Sequence, residues 1–269
     1  MKLFFILITL GIIQGFSEFL PISSSGHLVL LYNIFGINSS TMLLSILFHI
    51  ATLLSVVIYY RKELLLLIRH PLCKTNRKIL VTTIITCLLV LIIKPTLDKL
   101  FDGKYLFVFF IITAILLLIS EYIHERNTLN NRIKNIPLPS INILDIPITY
   151  KQSIIIGITQ AIACIPGISR SGSTIAVARM CGVGSISSDY SFLISIPIII
   201  ASLVLEIMSG GSISTYPITP LIISLITCSI VGLLSIRLVR SLTEKNKLSL
   251  FSYYLITLST IMVIVSLFF

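Results

Sequence analysis

Long apolar runs separated by short polar segments dominate the pattern of this 269-residue chain. A transmembrane helix needs about 20 predominantly apolar residues, and several runs reach roughly that length. The chain is therefore predicted to be an all-α, polytopic membrane protein, with residues 1–269 forming a single integral membrane domain. The clearest predicted spans are about 41–60, 79–94, 105–122, 189–208, 217–238 and 250–269.

Two further segments, about 3–40 and 151–188, are apolar but interrupted by Pro, Gly and Ser. Neither half of either segment is clearly long enough to cross a membrane. Irregular backbone at membrane depth is tolerated only where it is buried in protein or lines a water-filled cavity. Each segment is therefore predicted to be a re-entrant helix pair, which enters and leaves on the same face. The alternative is an ordinary span with a kink.

The two interrupted segments carry similar motifs. Residues 14–27 align without a gap on residues 160–173, with five identities in fourteen positions. The chain is therefore predicted to contain two repeats, about 1–122 and 151–269, each with one re-entrant pair followed by three spans. Because three is odd, the second repeat must be inverted, and folds of that kind place the site at the repeat interface. The identities pair Gln14 with Gln160, Ile22 with Ile168, Ser23 with Ser169, Ser25 with Ser171 and Gly26 with Gly172.

Charge sets the predicted orientation. Only 11% of the residues are charged, against roughly 25% in soluble domains. Lys and Arg gather on the cytoplasmic side of membrane proteins, and most of the net charge of +10 lies in three loops. With those loops inside, both termini must lie outside. The predicted cytoplasmic segments are 61–78, 121–151 and 237–247, and the second of these contains the linker between the repeats, at about 123–150. The segments predicted to lie outside are 95–104 and 209–216.

Composition also narrows the partners. The basic residues form no patch interleaved with aromatic residues, so nucleic acid is not expected as a partner. The five cysteines are scattered and lack the spacing of a zinc site or a disulfide framework. The lipid bilayer is the expected surrounding, and the sequence leaves the oligomeric state open, with a homodimer among the alternatives.

The second motif has the features of an anion-binding helix start. Its Ser- and Thr-rich stretch follows Pro166-Gly167 and opens a new apolar run, which predicts a loop that leads into a helix N-terminus. Such an end offers N–H groups and a positive partial charge, which suit phosphate. The Arg170 guanidinium adds a fork of donors that matches phosphate oxygens. Helix capping explains one hydroxyl but not four. The predicted phosphate-binding hydroxyls are those of Ser169, Ser171, Ser173 and Thr174.

The first motif contributes an acid and an imidazole. Glu18 follows Gln14 by four residues, so both side chains lie on one helix face, and Glu18 is the only acid in the first 62 residues. A buried acid needs a partner, and the candidates are Arg170, His27 and a cation. His27 can move a proton near neutral pH, although a core histidine bonded to a backbone carbonyl is the plain alternative. Ser23 and Ser25 are further predicted phosphate-binding residues.

Three other polar residues lie in or near the spans. His49 is expected either to support the site or to pack between helices. Arg179, which follows the second motif, is placed to reach lipid phosphates by snorkelling. Asp189 lies near the end of a span, where interfacial exposure or a helix cap would explain it.

At these motifs the chain closely resembles the undecaprenyl-pyrophosphate phosphatases of the bacitracin-resistance protein family. The matching stretches are 18–27 and 166–174, with similar context at 49–56 and 190–197, and the resemblance covers essentially the whole chain. It implies removal of the terminal phosphate from the undecaprenyl diphosphate carrier, at the outer face of the bacterial cytoplasmic membrane. It also implies a divalent cation, Mg²⁺ or Ca²⁺, with Glu18 as the candidate metal ligand.

The resemblance and the residues together assign roles. The family carries Glu or Gln where this chain has Gln14, which leaves one carboxylate, so a scheme in which two carboxylates share a metal is not favoured here. Ser24 is the first choice of nucleophile, and attack by His27 or by water stays open. The predicted catalytic residues are Glu18, Ser24, His27 and Arg170, and the predicted supporting residues are Gln14 and Gln160.

The alternative function from another class is transport. Inverted repeats with broken helices are also a transporter architecture, and a carrier could bind the polyprenyl phosphate through Arg170 and flip it without hydrolysis. Glu18, Ser24 and His27 speak against this alternative, because binding an anion does not call for a buried acid.

Overall fold

The computed structural model describes residues 2–37, 41–100, 103–133, 143–208 and 216–268. Within these ranges the chain is helical and contains no β-strand, so the all-α prediction is confirmed. The helices are α1 (Lys2–Phe19), α2 (Ser24–Phe35), α3 (Thr41–Tyr59), α4 (Arg61–Arg69), α5 (Lys74–Leu100), α6 (Leu106–Ile133), α7 (Tyr150–Ile162), α8 (Arg170–Met180), α9 (Ser187–Met208), α10 (Ile218–Glu244) and α11 (Ser249–Phe268).

The long helices have the dimensions and composition of membrane spans. Five of them, α5, α6, α9, α10 and α11, are long and apolar enough to cross, and α3 with α4 makes a sixth if this pair, bent by 78°, is counted as one span. Large apolar side chains point outward, for example Ile92, which is 73% exposed. Exposed apolar surface on this scale belongs in lipid rather than in water. The chain is therefore a multi-pass membrane protein.

Both interrupted segments break where the sequence predicts. The break between α1 and α2 contains Pro21, and the break between α7 and α8 contains Pro166. Proline cannot donate a backbone hydrogen bond and does not continue a helix. Gly167 has a φ of 95°, and a Cβ built there would lie 2.7 Å from the Cβ of Phe109. Glycine is therefore required at this turn.

The two predicted repeats use the same packing device. Helix α1 packs along α10, and helix α7, which holds the equivalent place in the second repeat, packs along α5. A Cβ built on Gly11 would lie 2.5 Å from the carbonyl oxygen of Ser224, and one built on Gly157 would lie 2.8 Å from that of Thr82. Small residues let helix backbones approach closely in membranes. Gly11 and Gly157 occupy matching positions when the gapless motif alignment is extended three residues upstream, which is consistent with two copies of one unit.

The polar ends differ in part from the prediction. Helix α6 continues to Ile133, so the prediction of a loop from residue 121 was wrong over its first part. Residues 122–133 contain neither Pro nor Gly, and nothing in them stops a helix. Helix α4 also forms where a loop was predicted, with Glu63 in its first turn and Arg69 in its last, the arrangement that the helix dipole favours. Residues 101–102, 134–142 and 209–215 of the predicted loops lie outside the described residues.

Contacts join the basic segments at one end of the molecule. Lys74 Nζ lies 2.7 Å from Asp145 Oδ2, and Lys78 Nζ lies 3.0 Å from Asp145 Oδ1. Hydrogen bonds from both lysines hold the pKa of the Asp145 carboxyl below its usual range. Asn246 Nδ2 donates to Glu125 Oε1 at 2.7 Å. This bond joins the α10–α11 connection to the end of α6, which belongs to the same basic segment as Asp145. That this end faces the cytoplasm stays a prediction.

Candidate active site

The two motifs meet at the carboxylate of Glu18, which is only 5% exposed. Its Oε1 forms an ion pair with the guanidinium of Arg170. Its Oε2 accepts hydrogen bonds from Ser24 Oγ at 2.7 Å and from Gln14 Nε2 at 2.9 Å. The partner that the buried acid requires is therefore Arg170, from the other motif, with two further donors from its own motif. A buried carboxylate held in this way keeps its charge at an acceptable cost.

The helix boundaries explain how these groups come together. Glu18 stands one residue before the end of α1, one turn after Gln14. Ser24 and Arg170 are the first residues of α2 and α8. Helix N-termini carry unsatisfied N–H groups and a positive partial charge. Two such ends and a guanidinium therefore flank one carboxylate, an environment suited to a phosphate group.

The caps of the two helices are alike. Ser23 Oγ accepts from the N–H of Gly26 at 3.3 Å, and Ser169 Oγ accepts from the N–H of Gly172 at 3.1 Å. Both serines therefore serve as N-caps, in addition to their predicted part in phosphate binding. Ser23 differs in having a φ of 72°. Backbone strain of this kind in a non-glycine residue is concentrated at functional sites.

The remaining hydroxyls differ in their hydrogen-bond partners. Ser25 and Ser171 each lie near the capping serine of their own motif, with Oγ–Oγ distances of 3.4 and 3.3 Å. Ser171 Oγ also donates to the carbonyl of Leu20 at 3.1 Å and so joins the second motif to the first. Thr174 Oγ1 is occupied by the carbonyl of Arg170 at 2.8 Å and by Ser191 Oγ at 2.6 Å. Among the described residues, the buried hydroxyl of Ser173 has no hydrogen-bond partner.

His27 is held by a partner that the sequence did not indicate. Its Nδ1 lies 2.8 Å from the carbonyl oxygen of Ser23, and its Nε2 lies 2.7 Å from the hydroxyl of Tyr254. Because a carbonyl only accepts, Nδ1 carries the proton and Nε2 of the neutral ring accepts from Tyr254. No hydrogen bond joins His27 to Glu18 or Ser24 in the part of the chain that the structure describes. Tyr254 lies within an ordinary apolar span, and no local pattern marks it.

The two glutamines have matching, incomplete environments. Gln160 Nε2 donates to Thr86 Oγ1 at 3.2 Å, as Gln14 Nε2 donates to Glu18. The Oε1 atoms of Gln14 and Gln160 are both buried without a hydrogen-bond partner among the described residues. Buried acceptors of this kind are rarely left unpaired. His49 also belongs to the surroundings of the site, because its Nε2 lies 3.8 Å from Glu18 Oε2.

The donor atoms present fit a hard cation that is shared with a substrate. The described residues contain no group of three or more His, Cys, Asp or Glu side chains that could hold a metal. Mg²⁺, however, is usually bound through one or two carboxylates together with substrate phosphates. Glu18 supplies one carboxylate, and the unpaired Oε1 of Gln14 supplies a neighbouring oxygen. A cation is therefore compatible with this site in the presence of a phosphate ligand.

Two sequence expectations outside the site were wrong. Arg179 is fully buried, with 0% exposure, and its guanidinium bonds the side-chain oxygen of Asn246. It therefore does not reach lipid. Asp189 is buried too, and accepts a hydrogen bond from Tyr60 at 2.7 Å, with Arg240 Nε at 3.6 Å. Both charges lie inside the helix bundle beside partners from distant segments, which local sequence does not reveal. Among the described residues, Nε and Nη1 of Arg179 have no hydrogen-bond partner.

Comparison with known proteins identifies the family to which the chain belongs. The family described as bacitracin resistance protein BacA matches residues 7–261. A Carboxydothermus hydrogenoformans protein named undecaprenyl-diphosphatase is 34% identical over 251 residues, which cover 91% of this chain and 90% of that protein. A Thermosipho melanesiensis protein of the same name is 35% identical over 260 residues, covering 94% and 95%. Undecaprenyl-diphosphatase 4 of Bacillus cereus is 34% identical over 249 residues, covering 91% and 90%. The chain therefore belongs to the bacitracin resistance protein BacA family.

Proposed function

We propose that this protein hydrolyses undecaprenyl diphosphate to undecaprenyl phosphate and inorganic phosphate. The observation that carries the proposal is the double contact of the Glu18 carboxylate, which binds the Ser24 hydroxyl on one oxygen and the Arg170 guanidinium on the other. An activated hydroxyl beside a phosphate-binding cation is what phosphoryl transfer requires. The names of its relatives favour the same activity.

Ser24 is the proposed nucleophile. Its Oγ donates to Glu18 Oε2 at 2.7 Å, the geometry of a nucleophile and its general base. In the first step Ser24 Oγ attacks the terminal phosphorus, Glu18 accepts the hydroxyl proton, and the bond from phosphorus to the bridging oxygen breaks. Undecaprenyl phosphate leaves, and Ser24 carries the phosphoryl group. Water then attacks the phosphorus of this phosphoserine, the bond from phosphorus to Ser24 Oγ breaks, and Glu18 returns its proton to Oγ, so that inorganic phosphate leaves and the Ser24 hydroxyl is restored.

The environment of His27 supports this choice of nucleophile. Both of its ring nitrogens are occupied, by Ser23 and by Tyr254, and a nitrogen that accepts a hydrogen bond is a poorer nucleophile. The pair of His27 and Tyr254 is instead suited to hold the start of α2, because His27 Nδ1 bonds the carbonyl of the residue before Ser24. A part of His27 in proton transfer, through Nε2 and the Tyr254 hydroxyl that it contacts, stays a prediction.

Charge on the diphosphate is balanced by Arg170 and, in the proposal, by a divalent cation. Arg170 presents a planar fork of donors at the first turn of α8. Glu18 and Gln14 Oε1 would hold the cation, and when bound it would neutralise phosphate charge. The serine hydroxyls near the two helix starts would complete the binding of the phosphate oxygens.

The proposed setting is the bacterial cytoplasmic membrane, with the site opening outward. Export of cell-wall building blocks leaves the diphosphate form of the lipid carrier at that face, and its hydrolysis would return the carrier to peptidoglycan synthesis. Bacitracin resistance, the property in the family's description, would follow if the enzyme lowers the amount of the diphosphate.

The deciding experiment is a phosphate-release assay on the purified protein in detergent, with undecaprenyl diphosphate as substrate. The proposal expects one inorganic phosphate per lipid consumed. A flippase, the alternative from the sequence, would move the lipid across a proteoliposome membrane without releasing phosphate. Lipid movement with no phosphate release by the wild-type protein would replace the proposed function with transport.

A further inference from the structure

An apolar groove with a volume of about 380 Å³ lies between α5 and α9, at the surface of the helix bundle. This is within the range of roughly 300–1,000 Å³ typical of small-molecule sites. Its walls come from α5, α9 and the connection after α7. Among its lining residues are Cys87, Leu91, Cys164, Ile198, Ala201 and Leu205.

The groove offers a ligand no polar anchor. Two hydroxyl residues line it, Thr86 and Ser202. Thr86 Oγ1 donates to the carbonyl of Thr82 at 2.9 Å and Ser202 Oγ donates to that of Ile199 at 2.9 Å. Because both hydroxyls are satisfied by their own helices, an apolar occupant leaves no polar group unpaired. The chemistry of the groove therefore selects a hydrocarbon rather than a polar molecule.

One end of the groove adjoins the candidate active site. Cys164 lines the groove, lies in the connection from α7 to α8 that leads directly to Arg170, and occupies the place in the second motif that Glu18 occupies in the first. Thr86, also in the lining, accepts a hydrogen bond from Gln160 at 3.2 Å. A molecule with its phosphate at Arg170 therefore has an apolar path along α5 and α9.

The equivalent path on the other side of the site is closed. There α10 packs against α1 and α3. A Cβ built on Gly232 would lie 2.6 Å from Ser55 Oγ and 3.0 Å from Phe19 Cε2, and one built on Gly15 would lie 2.5 Å from the carbonyl oxygen of Cys228. Helices this close leave no room for a hydrocarbon chain. The two sides of the site thus differ, although the repeats are alike.

We propose that this groove binds the isoprene units that follow the first one after the diphosphate of the lipid substrate, an inference that rests on the proposed function. The rest of the long chain lies in the bilayer. Since lipid tails are as apolar as the groove, the groove gives little transfer free energy. Its contribution is orientation, because a chain held along α9 fixes the direction from which the diphosphate reaches Arg170 and Ser24.

A groove-filling variant tests the inference. In Ala201→Phe the new ring occupies the groove, whereas in the control Ile200→Phe it points from the exposed face of the same helix. We expect Ala201→Phe to lower kcat/KM for farnesyl diphosphate by about tenfold or more, a usual penalty for poor fit in an apolar pocket. Dimethylallyl diphosphate, with one isoprene unit, should be hydrolysed almost as by the wild type, which also shows that the variant folds. Equal loss on both substrates, or no loss on either, would overturn the inference.

Photocrosslinking decides the same question without relying on catalysis. A farnesyl diphosphate analogue with a diazirine on its second isoprene unit should label α5 and α9 residues of the groove, and unlabelled undecaprenyl diphosphate should compete. Labelling confined to other helices, or labelling that undecaprenyl diphosphate does not reduce, would mean that the groove holds bulk lipid only. If the wild type released no phosphate but competed labelling persisted, the proposed function would fail and the groove assignment would stand.

Discussion

Glu18 and Arg170, 152 residues apart in the sequence, form a direct ion pair at the meeting point of the two motifs. Neither motif has a complete site of its own. The first supplies the acid, the serine and the histidine, and the second supplies the guanidinium. Where the first motif has Glu18 the second has Cys164, and where the second has Arg170 the first has Ser24. The two motifs therefore supply complementary parts of one site.

Removing the guanidinium should nearly abolish activity. Loss of a charge-assisted contact to the transition state typically costs about 3–4 kcal/mol, or roughly 10²–10³ in rate. We expect Arg170→Ala to lose this much and Arg170→Lys to recover little, because Lys lacks the planar fork. The measurement is phosphate release from an isoprenyl diphosphate in detergent. Arg126→Ala, at an exposed position on α6, is the control and should keep wild-type turnover. Near-normal turnover in Arg170→Ala would refute the site assignment.

The nucleophile can be identified by trapping. With Ser24 as nucleophile, Ser24→Ala should reduce kcat by about three orders of magnitude or more, and rapid acid quench of the wild type should leave phosphate on the peptide that contains Ser24. The matched control Ser266→Ala alters an exposed serine on α11 and should leave kcat unchanged. Phosphate trapped on His27, or substantial turnover by Ser24→Ala, would transfer the role to the histidine or to water.

The acid and the cation can be tested together. Glu18→Gln keeps the shape but removes the negative charge, so it should lose most of the activity, as a general base or a metal ligand would. Gln14→Glu should be tolerated, because the family that the chain resembles carries either Glu or Gln at that position. Chelation of divalent cations should stop the wild type, and added Mg²⁺ or Ca²⁺ should restore it. If turnover survives thorough chelation, the cation has no part in the reaction and Glu18 acts on protons alone.

Much of this architecture could be predicted because its causes are local. Apolar runs of membrane length gave the positions of α3, α5, α6, α9, α10 and α11 to within a few residues at most ends. The breaks after α1 and α7 were visible because Pro21 and Pro166 act on their own neighbours. The proximity of Glu18 and Arg170 could be predicted only on the assumption that the chain contains two repeats whose motifs meet.

What could not be predicted depends on contacts between distant segments. Tyr254 lies 227 residues from His27, in a span that looks like any other. The burial of Arg179 depends on Asn246, which follows the end of α10. Helix α4 bends away from α3 although no Pro or Gly separates them. For His27 and Arg179 the deciding partner is absent from the local sequence, and the bend before α4 has no Pro or Gly that would announce it.

The close approach of α1 to α10 gives a stability prediction. In Gly11→Ala the new methyl group would stand 2.5 Å from the carbonyl oxygen of Ser224, and overpacking of this kind typically costs about 1–3 kcal/mol. Gly157→Ala, at the matching place in α7, should show a similar loss. Thermal unfolding in detergent is the measurement, with Phe5→Ala, an exposed position on α1, as a control expected to be near neutral. Wild-type stability in both glycine variants would contradict the shared packing device.

The predicted topology depends on parity and on positive charge, and α6 offers its sharpest test. This helix spans Leu106–Ile133, about 40 Å at 1.5 Å per residue, which exceeds the roughly 30 Å hydrocarbon core. Positions 102 and 134 flank it in sequence and should therefore lie on opposite sides of the membrane. In a variant that lacks the five native cysteines, Asp102→Cys should react from outside with an impermeant maleimide, whereas Lys134→Cys should react only after the cells are opened.

The three basic segments in contact at one end would then face the cytoplasm, as the distribution of Lys and Arg predicts. Labelling of position 134 in intact cells, together with protection of position 102, would reverse the orientation and turn the proposed site toward the cytoplasm. The assignment of Glu18, Ser24 and Arg170 would survive that result, because it rests on their contacts and not on the side of the membrane they face.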